Sequence, residues 1–565
     1  MNTEEELMSQ DLEGEIQRIL FPYLKVRSNT GTRLEKDGEA FLAKELSSFP
    51  YFKREESLMG AFSIPRDPFD RCVCWGLVKG RGKKTVVLIH HYDVVDVEDY
   101  KRLIPLAYSP EELEQELGKQ AGMLGQETEQ DLKSGEWLFG RGTADMKGGG
   151  AIQLAILRKY SEMKDRNGNL LLIAVPDEEN LSAGMRGAAP LLAKLKKEHG
   201  LDYVMMINSE PHQRKRKDVG VLSEGSVGKI MAFVYVRGYL SHVGKVFEGF
   251  NPVGLISRIV ARTDLDPGFT DVVEGEAAPA PTWLFMKDGK SQYDVSMPLS
   301  ASGCFSVLSL GSTPEDVMNR LEQISMECFE DTIENIKKSC KEIYGRMGKP
   351  APEIGWHPRV VRFRELYEEA RTRYGKVFLE AFEEKIEEVR MLISEGKLNI
   401  LEGNLKLVET VYEYIEDINP RVVIGLAPPF YPAVANLFMG ELDRNQRNLS
   451  QKLDQFAENH FSQRYEREHF FMGISDMSYS SISRGSEVLK GLQGNMPLFG
   501  RLYDIPLEEM EEISMPCINI GPWGKDYHKL TERVLKEDLY RRTPAMLGFA
   551  IACLLDGGEE DRLNG

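Results

Sequence analysis

Apolar and polar positions along the first third of this 565-residue chain fall into blocks that predict alternating strands and helices. Residues 12–47 carry apolar side chains at helical spacing, Leu20 and Phe21 early and Phe41, Leu42 and Leu46 later, with SNTGTR (Ser28 to Arg33) as an intervening loop. CVCWGLV (Cys72 to Val78) and TVVLI (Thr85 to Ile89) are short runs of the kind buried on both faces of a sheet. Apolar residues Ala151, Ile152, Leu154, Ala155, Ile156 and Leu157 form a helix behind a glycine-rich turn, and Leu170 to Val175 and the start of DYVMMINSEPH (Asp202 to His212) read as two more buried strands. Such a β-α-β-α succession implies the α/β class, with a mostly parallel central sheet flanked by helices.

The pattern changes beyond residue 220. VGKIMAFVYVRGYLSHVG gives an alternating strand, and Asn251 as cap with Pro252 at the first helical position starts a helix. Strands at Thr282–Met286, Tyr293–Met297 and Phe305–Leu310 and a helix from about Pro314 to Cys340 complete an α+β domain expected over 223–340. Residues 341–417 form charged amphipathic helices, apolar on one face, to which no chemistry is assigned. RVVIGLAPP (Arg421 to Pro429) is expected to return the chain to the first domain, 1–222, which then continues over 418–565. There FFMGISDMSYSS is a loop holding Asp476, and MPCINIGPWGKDYHKLTERV (Met515 to Val534) is read as strand, glycine loop and helix start.

Charge and cysteine usage narrow the function. Acidic residues outnumber basic ones for a formal net charge of −18, which argues against nucleic acid or an anionic membrane surface as partner. The seven cysteines form neither a disulfide framework nor a zinc-finger spacing. No apolar run approaches the ~18 residues of a membrane span and the first residues are acidic, so a cytoplasmic protein is expected.

Candidate chemistry collects at strand ends. WLFGRGTADMKGGG (Trp137 to Gly150) holds Asp145 at a corner containing five glycines, directly ahead of a helix. HHYDVVD (His90 to Asp96) puts His91 and Asp93 two residues apart, so that on a continuing strand both project to one face, His91 able to bind a metal and Asp93 to orient its ring, while His90 points away. Asp177, Glu178 and Glu179 follow the strand ending at Val175; three successive acids are ordinarily a solvated loop, but here they stand where open α/β sheets place ligands. Neighbouring carboxylates diverge, so one could hold a metal while the other faces water. Glu210 follows the next strand, and His528 could supply the nitrogen ligand that a two-metal site built from these acids still lacks.

HYDVV, GRGTADMKGG, DEE after a strand, SEP, the histidine of the inserted domain and GPWGKDYHKLTE resemble, in order, the motifs of the co-catalytic zinc family of aminoacylases, acetylornithine deacetylases, succinyl-diaminopimelate desuccinylases and carboxypeptidase G. Length, helical insertion and the closing HKLTERV are similar to the branch found in bacterial arginine catabolic operons. The resemblance implies two divalent ions, zinc first with manganese or cobalt as alternatives, bridged by Asp145, with His91 and Glu210 on one and Glu179 and His528 on the other. It implies Glu178 as general base, Asp93 as the partner of His91, and His242 as a lid histidine that steadies the oxyanion. Asn251, Asp476, Gly521 and Gly524 are candidate substrate contacts. Many members carry a lid arginine near the strand that reads FSVLSL here; this chain has none, which leaves Arg258, Arg262, another basic residue or the Gly521–Gly524 loop to meet a substrate carboxylate.

The expected activity is hydrolysis of an amide bond in a small N-substituted amino acid, in the arginine and ornithine group, by a monomer or homodimer. A dipeptidase or carboxypeptidase is the alternative within the class. A catalytically silent homologue binding a metabolite or partner is the alternative outside it; loss of Glu178 or a ligand would mark one, and all six positions are present.

Overall fold

The apolar runs that precede the acidic motifs become neighbouring strands. In the computed structural model, which describes residues 12–119 and 122–555, Arg81–His91 lies between Asn167–Val175 and Asp202–Asn208 and runs parallel to both. These three central strands belong to an eight-stranded mixed sheet in the order Met59–Ser63, Cys72–Val78, Asn167–Val175, Arg81–His91, Asp202–Asn208, Cys517–Asn519, Val219–Ser223 and Arg464–Glu468. Leu170 to Val175 and Val86 to Ile89 are wholly buried, as the unbroken apolar runs demand of strands covered on both faces. Helices Lys147–Glu162, Ala183–His199 and Thr543–Leu555 pack on this sheet. The helices expected around the SNTGTR loop are Glu13–Lys25 and Glu35–Ser48.

This sheet organises the first of two units, which takes in the described residues up to Val227, Val434–Ser483 and those from Pro506 to Leu555. The described residues of 97–134, an acidic and turn-rich stretch of the sequence, belong to it. Tyr100, Leu103, Leu113 and Leu117 pack with Trp137 and Phe139 in a small core of their own, and Pro110–Gly118 and Gln126–Ser134 are helices.

The second unit, Gly228–Ala433 and Arg484–Ile505, is built on a five-stranded sheet. Its order is Thr282–Asp288, Ser300–Ser309, Gly228–Arg237, Arg421–Tyr431 and Val360–Arg362, antiparallel except for the last pair. Helices Pro252–Thr263 and Pro314–Arg346 pack on it, and Phe363–Tyr374, Lys376–Ser394 and Ile400–Tyr412 form the charged helical segment.

Three readings of the chain differ from this. Arg421–Tyr431 is a strand, but it pairs with Gly228–Arg237 in the second unit's sheet instead of returning to the first. Tyr293–Met297 is not a strand: Ser296 makes a single antiparallel bridge with His242, and Asp294 Oδ1 accepts from the Ser296 amide at 2.8 Å and from Lys290 Nζ at 2.6 Å. Val534 does not start a helix: Arg533–Leu535 is a short strand between Gly524–Lys525 and Trp137–Phe139. Among the described residues no helix is long and apolar enough to cross a membrane.

Candidate metal centre

The three central strands end level with one another. His91, the last residue of its strand, is in register with Val175, and Ile89 is in register with Asn208, so the segments leaving Val175 and Asn208 start beside His91. The turn bearing Asp145 and its helix close against them. A Cβ on Gly149 would lie 2.2 Å from the Ser209 carbonyl, so only glycine lets this helix start approach the Glu210 turn.

The side chains that result form one cluster. His91 Nε2 lies 3.1 Å from Asp145 Oδ1, 3.4 Å from Glu210 Oε1 and 4.0 Å from Glu178 Oε2. The other oxygen of Asp145, Oδ2, lies 3.1 Å from His528 Nε2, and that same nitrogen is 3.1 Å from Glu179 Oε1. Asp145 therefore turns one oxygen to each of two imidazoles. Candidate ligand atoms of His91, Glu178 and Glu210, and of His91, Asp145 and Glu179, fall within 4.8 Å of one another.

Charge is the dominant property of this cluster. Among the described residues none of Asp145, Glu178, Glu179 and Glu210 is ion-paired with lysine or arginine, and the imidazoles are their only basic neighbours. Burial raises Glu178 well above the usual carboxyl range against the pull of His91, and burial carries Glu210 up to about 7. Burial opposes a charged His91, yet Glu210, Asp145 and Asp93 outweigh it and raise the ring well above its ordinary value. Hydrogen bonds to Asp145 and Glu179 raise His528 to about 10. Four carboxylates facing two imidazoles are short of positive charge, and their oxygen and nitrogen donors are those that hold zinc and similar divalent ions. The donor set fits such ions.

The supporting contacts fix each turn. Asp93 lies beyond the strand end, and its backbone carbonyl is 3.0 Å from His91 Nδ1 while its carboxylate is 3.6 Å away. Its two oxygens accept from the amides of Glu178 and Glu179, each at 3.2 Å, so one aspartate holds the histidine ring and the glutamate turn together. His90 points the other way, to Gln153. Behind the cluster stand three buried pairs: Arg71 with Asp177 at 2.8 Å, Arg141 with Glu532 at 2.6 Å, and Arg214 with Asp538 at 2.6 Å. These pairs are not legible as pairs in the sequence; the only signal is that Arg141 and Asp177 sit inside the acidic motifs.

The remaining candidates are placed differently. Asp476 is buried in the first unit within electrostatic reach of His91, Glu210 and Asp93, and burial raises its carboxyl well above the usual range. Gly521 packs on Glu210: a Cβ there would meet the Glu210 carbonyl at 1.8 Å. Gly524 lies against Tyr527, Pro211 and Ala144, and His212 Nδ1 is 2.9 Å from the Gly521 carbonyl. His242 and Asn251 are exposed in the second unit. His242 Nδ1 accepts from the Gly244 amide, and the Asn251 side chain caps a helix by accepting from the Val253 amide at 3.0 Å. Of the basic residues considered for a carboxylate, Arg262 is paired with Glu327 at 2.8 Å.

A mixed sheet that gathers acids and histidines at the ends of parallel strands defines a metal-dependent hydrolase, and the chain belongs to the M20/M25/M40 peptidase family, whose model matches residues 87–481. It is 31% identical over 562 residues to the uncharacterized protein YqjN of Bacillus subtilis strain 168, covering 98% of both chains. It is 27% identical over 544 residues to protein RocB of the same organism, covering 94% of this chain and 93% of that one. The crystal structure of a tripeptidase from Staphylococcus aureus matches with a TM-score of 0.51 at 12% identity over 97% of this chain and 100% of that one, a likeness of fold.

Proposed function

We propose that the cluster holds two divalent metal ions, zinc first, and hydrolyses the amide bond of a small N-acylated amino acid. The observation that carries this reading is Asp145, with one oxygen 3.1 Å from His91 and the other 3.1 Å from His528. In this reading Asp145 bridges the ions, His91 and Glu210 complete one set of ligands, and Glu179 and His528 complete the other. When bound, the ions supply Lewis acidity for a carbonyl oxygen and ease the ionisation of water.

The protein's own groups then divide the work. Glu178, buried beside both ligand sets, takes a proton from the attacking water and delivers it to the departing amine. Asp93 keeps the His91 ring oriented and the Glu178–Glu179 turn in place. The resemblance implies a role for His242 as a lid histidine that donates to the developing oxyanion. The likeness to the arginine-catabolic branch supports a substrate in the arginine and ornithine group. A panel of acyl-amino acids, dipeptides and carboxypeptidase substrates, run on the zinc-loaded protein and on Glu178→Ala, tests this. Turnover of acyl-amino acids that Glu178→Ala abolishes is the expected result, and turnover of dipeptides alone would move the assignment to a dipeptidase.

A further inference from the structure

The Asp145 turn and the His528 loop come from segments nearly 400 residues apart, and one side chain joins them. Glu532 follows His528 by four residues and is fully buried. Its Oε1 accepts from the amide of Gly142 at 2.8 Å and from those of Ala144 and Asp145 at 3.3 Å each, so the backbone of the shared aspartate is itself bound to Glu532. Its Oε2 accepts from Arg141 at 2.6 Å. Three amides converging on one carboxylate form an anion cradle, and an ionised acceptor makes each bond stronger than a neutral one would.

Arg141 extends the link. It is buried, donates to the Asp96 carbonyl at 3.0 and 3.2 Å and to Asp99 at 3.3 Å, and lies over the Tyr100 ring. Asp96 is three residues beyond Asp93, so one network touches the His91 segment, the Asp145 turn and the His528 loop. The loop is closed locally as well. Arg533 and Thr531 both donate to Asp526, Arg533–Leu535 pairs with Trp137–Phe139, and His528 is held at a φ of 63°, a left-handed conformation that a non-glycine residue keeps only when its surroundings enforce it.

We infer that Glu532, with Arg141, is a positioning residue that sets the Asp145 turn against the His528 loop and so fixes the geometry of the second ligand set. This rests on the metal-binding reading above. Partners of this kind, one bond removed from a ligand, change metal affinity about 10–100-fold when lost.

The test is zinc affinity per folded chain, by competition with a chromophoric chelator, on metal-stripped wild type, Glu532→Gln and Glu532→Asp. Leu157→Ala serves as a core control that lowers Tm without touching the network. Glutamine keeps the acceptor oxygen but turns an amide toward Arg141, and aspartate keeps the charge but shortens the reach. Wild type is expected to bind two zinc ions, one of the two affinities falling tenfold or more in the glutamate variants while Leu157→Ala binds as wild type. Two zinc ions at wild-type affinity in both folded Glu532 variants would overturn the inference, and so would loss of the fold in both, which would make Glu532 purely structural. No zinc on folded wild type would instead overturn the metal reading itself.

Discussion

Glu179 and Glu532 are both largely buried glutamates of the first unit, and both serve the His528 loop, but they meet different partners. Glu532 faces the guanidinium of Arg141 at 2.6 Å and three backbone amides, whereas Glu179 faces the imidazole of His528 at 3.1 Å. The contrast extends through the unit. Asp177, Glu532 and Asp538 each have a buried arginine, while among the described residues Asp145, Glu178, Glu179 and Glu210 pair with histidines alone. An acid closed by arginine is a fastener, because removing one partner strands a buried charge. Acids gathered around imidazoles keep lone pairs for a cation. The same residue type thus builds the frame in one place and the binding site in the other, and the partner decides which.

Substitutions can break that contrast from either side. Asp145→Ala removes the carboxylate shared by both imidazoles and should abolish metal binding and cut hydrolysis by at least about 10⁴-fold, or ~5.5 kcal/mol in the barrier. Metal analysis and steady-state kinetics on the folded variant check both effects. Glu178→Gln should separate binding from chemistry: metal content unchanged, with kcat lower by roughly 10²–10⁴-fold. On the other side, Asp538→Asn breaks the pair with Arg214 and should cost about 3–5 kcal/mol of stability in chemical denaturation, with the metal content per folded chain retained.

The smallest expected effect is one of pH. His212 accepts from Arg214 Nε at 3.2 Å on one ring nitrogen and meets the Gly521 carbonyl at 2.9 Å with the other, an arrangement for the neutral ring protonated at Nδ1. Burial and then the Arg214 charge lower it to about 4. Between that value and an unfolded value near 6.5 the unfolded chain binds the extra proton, so stability is complete above about pH 6.5 and falls as pH drops toward 4, by roughly 3 kcal/mol at most. Urea melts of wild type and His212→Asn across that range should differ by this amount, the wild type losing more stability than the variant as pH falls toward 4.

The sheet and the positions of the clustered acids were legible because the relevant signals are local. Val86 to Ile89, Leu170 to Val175 and Tyr203 to Ile207 are apolar runs followed within three residues by an acid or histidine, and parallel strands release those residues at one edge. What could not be read depends on partners distant in sequence. The apolar run at Arg421 is a strand in either sheet, and only pairing with Gly228–Arg237 decides which. Arg533–Leu535 is too short to declare itself, and its strand exists because Trp137–Phe139 offers an edge. Arg141 and Glu532 stand 391 residues apart, and nothing in either neighbourhood announces the other. Tyr293–Met297 stops short of a strand: Ser296 makes one antiparallel bridge to His242, while Asp294 bonds locally to the Ser296 amide and Lys290.

The most direct test of the central claim, that acids facing only imidazoles form a dinuclear metal site, is the metal content per chain by elemental analysis after reconstitution with zinc and removal of free ion. The account predicts about two ions per wild-type chain, lost on Asp145→Ala. A folded wild-type protein that retains none would contradict it.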